Sequence, residues 1–210
     1  MSPHRRAAGS YARRGPVREP YDRVLIVCEG KKTEPYYFRG LRLHYRLSSA
    51  NIEIMRADGT DPLSIVSFAQ TRLGDYDRAF CVFDRDGHQN YDGAVAKVAQ
   101  CAEGQAGKLV AITSWPCFEF WILLHFNYST APFNRAGGKS SCERVISKLN
   151  AHLPIYQKGL KNIYDLLAPK TAAAILNAKR LQRENARTDS TNPSTRVHEL
   201  VQYLVDLKTT

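Results

Sequence analysis

The sequence predicts an α/β fold: a small doubly wound, mostly parallel sheet with a C-terminal helical subdomain. Three observations lead there. Short apolar runs without polar alternation fall at residues 24–27, 78–83 and 108–112, the pattern of strands buried on both faces. Segments with apolar residues at helical spacing separate them, which implies parallel pairing through right-handed crossovers. After residue 127 no comparable run occurs and helix-length segments take over.

Each element has a local reason. Residues 1–22 hold Arg5, Arg6, Arg13, Arg14 and Arg18 among Gly and Pro, a composition expected of a flexible basic arm. Residues 24–27 form the first strand, and residues 35–47 a helix that Pro35 opens and Tyr37, Leu41 and Tyr45 mark on one face. NIEIM at 51–55 alternates as a shorter strand, and Asp61-Pro62 supplies an N-cap and first-turn proline for a helix reaching residue 73. The strand at 78–83 precedes a helix over 90–101, and the strand at 108–112 precedes a helix over 116–126 that is apolar nearly all round. Further helices are expected at 142–149, 162–167, 171–187 and 193–207, with Asn192-Pro193-Ser194-Thr195 read as a helix cap. The organisation is then an arm (1–22), an α/β core (23–127) and a helical subdomain packed on it (128–210).

Composition narrows the function classes. A chain of 210 residues that is 43% hydrophobic and 10% aromatic supports one real core. No apolar run approaches the roughly 18 residues that span a bilayer, and no secretory segment is seen, so no membrane role is expected. Among five cysteines, Cys28, Cys81 and Cys117 sit in apolar runs and no C-x-x-C pair occurs. They read as buried free thiols of a cytoplasmic protein rather than zinc ligands. The net charge of +10 points to an anionic partner, nucleic acid above all.

Chemistry concentrates at two strand ends. The first apolar run stops at Cys28-Glu29-Gly30, and the run at 78–83 stops at Asp84-Arg85-Asp86-Gly87. Open α/β sheets place ligands at such carboxyl ends. In extended chain, positions i and i+2 share a side, so Asp84 and Asp86 aim into one pocket. Carboxylates that close repel unless a cation neutralises them, and hard oxygens suit Mg²⁺ or Mn²⁺. Glu29, Asp84 and Asp86 are therefore the candidate catalytic and metal-binding residues, although Asp-x-Asp-Gly is also ordinary turn chemistry. Glu34 and Glu119 are possible additional acids; Glu119 lies in an apolar stretch, where a charge needs a salt bridge, to Arg85 or a later arginine, or a place beside metal. Lys31, Lys32, Arg85, Arg135 and Lys139 are candidates for holding phosphate, the last two on a Gly-Gly loop. Lys179, Arg180, Arg183 and Arg187 recur on one helical flank and fit either a solvated face or a nucleic-acid track. His125 and Tyr37 fit a packed core better than a site.

The stretches CEGKKTEPYYF, FDRD, SWPCFEFWILLHF and NPST-x-VHELV together resemble the RloB family (AbiLii-like) across residues 23–207. Glu-Gly after the first strand and Asp-x-Asp after a later one resemble the wider Toprim superfamily. The resemblance implies a Mg²⁺- or Mn²⁺-dependent nuclease of phage defence, cutting DNA, tRNA or another RNA beside an ATPase partner, with self-association open. A non-catalytic subunit of a defence complex that binds nucleic acid or regulates the ATPase is the alternative. Where the primase-like pattern carries an acid three residues after the glycine, this chain has Thr33, with Glu34 next.

Overall fold

The computed structural model describes residues 22–57, 59, 61–85 and 87–207. The basic arm apart from its last residue, and Asp86, lie outside the described residues.

The sheet is built as the apolar runs require. β1 (Val24–Cys28) is buried along its whole length and pairs in parallel with β2 (Ile52–Arg56) on one side and β3 (Arg78–Asp84) on the other. β3 pairs in parallel with β4 (Leu109–Trp115), which runs past the apolar segment through Thr113, Ser114 and Trp115. The order β2-β1-β3-β4-β5 ends on β5 (Ser194–Thr195), a two-residue antiparallel strand. Ser194 and Thr195 thus form an edge strand, and the 192–195 segment is not the cap of a longer helix, the last helix starting only at Val197. Its pairing, the Arg196 N–H to Thr113 O bond at 2.8 Å and the Ser114–Thr195 hydroxyl contact at 3.2 Å supply partners that local propensity does not reveal. The Asn192–Pro193 peptide is cis.

Both faces of the sheet are covered, and the alternation along each strand decides what covers them. Leu25, Val27, Ala79, Cys81, Phe83, Leu109 and Ala111 face α2 (Pro62–Arg72) and α3 (Tyr91–Gln100). Asp61 caps α2, accepting from the Ser64 N–H at 3.2 Å with Pro62 in the first turn. A short α4 (Ala102–Gln105) follows α3 and has no apolar periodicity to announce it.

Val24, Ile26, Cys28, Phe80, Val82 and Ile112 face the opposite way. They join one apolar core with α1 (Thr33–His44), α5 (Glu119–Leu123), α6 (Ser141–Asn150), α7 (Ile163–Leu167), α8 (Thr171–Thr188) and α9 (Val197–Asp206). α1 begins two residues before Pro35 and stops at His44, because Arg46 takes a positive φ of 55°. Ser140 and Glu143 cap α6 reciprocally. The helix expected over 116–126 shrinks to α5; its lead-in, residues 116–118, is used to bind a carboxylate, and its end tightens into i→i+3 bonds such as Phe126 N–H to Leu123 O. Cys28 and Cys81 are free and buried as expected, whereas Cys117 is bonded to Cys142, since residue 117 and the start of α6 meet with Cα atoms 5.7 Å apart.

No helix among the described residues is long and apolar enough to cross a membrane.

Candidate functional site

The ladder itself delivers two acids to one rim. Glu29 follows β1 and its N–H donates to Val82 O at 3.0 Å; Asp84 closes β3 opposite Ser114. The Glu29 carboxylate then accepts the Asp84 N–H through Oε2 at 2.9 Å. Its Oε1 lies 2.7 Å from His88 Nε2. Asp84 Oδ2 accepts the Phe118 N–H at 3.0 Å, which is what the non-helical lead-in to α5 provides.

Two further acids complete the rim. Glu34, in the first turn of α1, is only 7% exposed and accepts the Gly30 N–H at 3.2 Å. A Cβ on residue 30 would collide with that carboxylate, so any larger residue there must push the Glu34 side chain aside. Glu119, the first residue of α5, is 2% exposed; Tyr156 donates to its Oε1 at 2.9 Å and Lys158 Nζ stands 3.7 Å from the same oxygen. Lys158 and Tyr156, not Arg85, therefore answer the Glu119 charge. The Gly159 N–H donates to Thr33 Oγ1 at 3.2 Å and ties that loop to the start of α1.

Glu29, Glu34, Asp84 and Glu119 line one open cleft of about 420 Å³ together with Lys31, Lys32, Thr33, Gly30 and Lys158. Two of these acids, Asp84 and Glu34, are held against ionisation. Burial first, then the charges of Glu34, Glu119 and Glu29, hold the Asp84 carboxyl well above its ordinary range. Burial, then Glu119 and Glu29, raise Glu34 from 4.5 to about 7 against the Gly30 hydrogen bond. A divalent cation would relieve such repulsion, and hard carboxylate oxygens are donors of the type Mg²⁺ or Mn²⁺ takes, although no three of these acids bring ligand atoms within 4.8 Å of one another. Tight clustering is a separate matter. Among the described residues, the group of three ligand-type side chains with donor atoms within 4.8 Å of one another is Cys117, Glu119 and Cys142.

Other expected site residues sit apart. Arg85 does not line the cleft; its guanidinium stacks on Trp115 at 3.9 Å and faces Asp92 at 3.9 Å. Arg135 and Lys139 lie on an exposed loop turned by Gly137 and Gly138 at φ of 60° and 75°, with Lys139 donating to Ser147, and neither lines the cleft. Lys179, Arg180, Arg183 and Arg187 are exposed on α8; Arg187 pairs with Glu184 at 2.7 Å and Arg180 covers the Tyr128 ring at 4.2 Å. His125 is a core histidine: Nδ1 meets Trp121 O at 3.1 Å and burial lowers it to about 4, which keeps it neutral. Tyr37 is fully buried.

Sequence reasoning missed His88, Tyr156 and Lys158. His88 follows Asp84 by four residues and was legible as an imidazole just past an acid-bearing strand. Nothing local marks the other two, which reach the acids only through packing of the C-terminal part. Neither the curated proteins nor the solved structures contain a significant match to this chain. The profile of the RloB-like protein family does match it, over residues 24–204, and the chain belongs to that family.

Proposed function

We propose that the protein is a Mg²⁺- or Mn²⁺-dependent phosphodiester-cleaving nuclease of Toprim type, acting in phage defence with an ATPase partner. The observation that carries the reading is the convergence of Glu29, Glu34, Asp84 and Glu119 on one cleft whose other polar walls are three lysines and Thr33. Asp84 and Glu29, with Asp86 from the sequence, would hold the cation, and Glu34 and Glu119 extend the donor set. A bound divalent ion would supply charge neutralisation and an activated water for in-line displacement. Lys31 and Lys32, exposed at the start of α1, and Lys158 across the cleft are placed to complement a phosphate. The Phe118 N–H and the Asp84 N–H fix the orientations of the Asp84 and Glu29 carboxylates before any ligand arrives. Exposed cations on α8 add sequence-independent attraction for nucleic acid.

The test is to incubate the purified chain, with and without its genomic neighbour, with DNA and total tRNA in Mg²⁺ or Mn²⁺. Cleavage should vanish with EDTA and with Asp84→Asn, whose circular dichroism stays that of the parent. Undiminished cutting by Asp84→Asn sinks the assignment. A second reading, a non-catalytic binding subunit, draws on one observation: both Glu29 oxygens are already engaged, by the Asp84 N–H and His88. Nucleic-acid binding that is indifferent to EDTA, with no cleavage alone or with the partner, would favour it.

A further inference from the structure

We propose that Cys117 and Cys142 form a thiol-exchange site that governs how freely Glu119 serves a cation in the cleft; this rests on the metal-dependent reading above. The bridge touches the acid rim twice. Cys117 directly precedes Phe118, whose N–H holds Asp84. Cys142, the second residue of α6, places its sulfur 3.4 Å from Glu119 Oε2.

A disulfide sulfur carries no hydrogen, so in the bonded form Cys142 gives Glu119 Oε2 nothing. The other oxygen, Oε1, is served by the Tyr156 hydroxyl and Lys158. Two molecules of a small thiol, RSH, change that balance. The first attacks the bridge through a mixed disulfide and the second releases it, leaving two cysteine thiols and one RSSR. One sulfur–sulfur bond is broken and one made, and the two hydrogens pass to Cys117 and Cys142. The Cys142 S–H can then donate to Glu119 Oε2 across the contact already present, and a cation that takes this oxygen competes with that donor for its electron density. A small-molecule disulfide reverses the change. Both cysteines are buried, at 2% and 4% exposure, so exchange proceeds by local opening at the start of α6, next to the exposed residues 134–139.

The experiment compares the full chain after treatment with oxidised or reduced glutathione and desalting. Peptide mass mapping reads the 117–142 bridge, and calorimetric titration with Mn²⁺ reads the cleft. The bridged form should bind Mn²⁺ about twofold more tightly than the dithiol, the weight of one weak hydrogen bond. Cys117→Ala keeps the Cys142 donor without the bridge and should bind like the dithiol. Cys142→Ala has neither and should bind like the bridged form. Equal affinity of the two wild-type forms overturns the proposal. So does identical behaviour of the two variants, which would make the bridge a mere brace. A pair that stays unbridged in oxidised glutathione, or that carries zinc as purified, overturns it as well. Absence of Mn²⁺ binding in every form, matching Asp84→Asn, overturns both this proposal and the metal reading beneath it.

Discussion

Replacing Glu34 with Gln removes the cost of ionising a buried carboxyl beside other acids. The side chain is 7% exposed, and its carboxyl rises from 4.5 to about 7, chiefly through burial and then through Glu119 and Glu29. Because the folded value lies above the unfolded one, the native state favours the protonated form. That contribution is whole below pH 4.5 and is lost as pH rises through about 7. The full span corresponds to about 3 kcal/mol, of which about 2 kcal/mol falls between about pH 5.5 and about pH 8. Gln keeps a carbonyl oxygen for the Gly30 N–H and never ionises. In EDTA, urea unfolding should therefore show Glu34→Gln gaining about 2 kcal/mol on the parent between those two pH values. Saturating Mn²⁺ should shrink the gain, since a cation offsets the same repulsion. A wild-type-minus-variant difference that does not move with pH would refute a Glu34 carboxyl raised by burial and its acidic neighbours.

Three other substitutions probe the scaffold under the site. Gly30→Ala drives a methyl into the Glu34 carboxylate and should cost about 1–3 kcal/mol; adding Glu34→Ala should return most of it in a urea double-mutant cycle. Gly40→Ala would place its Cβ 2.6 Å from Tyr164 Cβ, so the usual gain of about 1 kcal/mol for Ala over Gly in a helix should reverse to a loss. A raised unfolding midpoint would show that α1 and α7 are not in close contact. Tyr156→Phe removes the hydroxyl from Glu119 Oε1 and should cost about 1–3 kcal/mol by urea unfolding, with an unchanged midpoint arguing that Lys158 alone holds the carboxylate.

The parts legible in the sequence were those whose signals are local. Val24 to Val27 could hardly be anything but a strand covered on both faces, and Asp61-Pro62 states its helix start in two residues. Glu29 and Asp84 were legible because a carboxylate immediately after an apolar run has little choice but the sheet's rim. The failures share a different cause. Ser194-Thr195 is a strand only because Ser114 and Trp115 offer it partners some 80 positions earlier. Phe118 reads as helix by its apolar neighbours, yet its N–H is spent on Asp84. Cys117 looked like any buried thiol until the chain brought Cys142 beside it. Tyr156 and Lys158 lie in a polar, turn-rich segment, where nothing in composition foretells a role beside Glu119.

One apolar mass runs from Val24 through α9 on a single side of the sheet, and the Tyr156–Lys158 loop reaches from it to Glu119. Cutting the gene near codon 127 would remove α6 to α9 from the core they share with α1 and α5 and leave Glu119 without its hydroxyl and its ammonium. A fragment of that kind would expose the apolar residues of α1 and α5 that now pack against α6 to α9. The latter half of the chain is accordingly no detachable accessory, and any exchange of it between relatives must carry the matching sheet surface along.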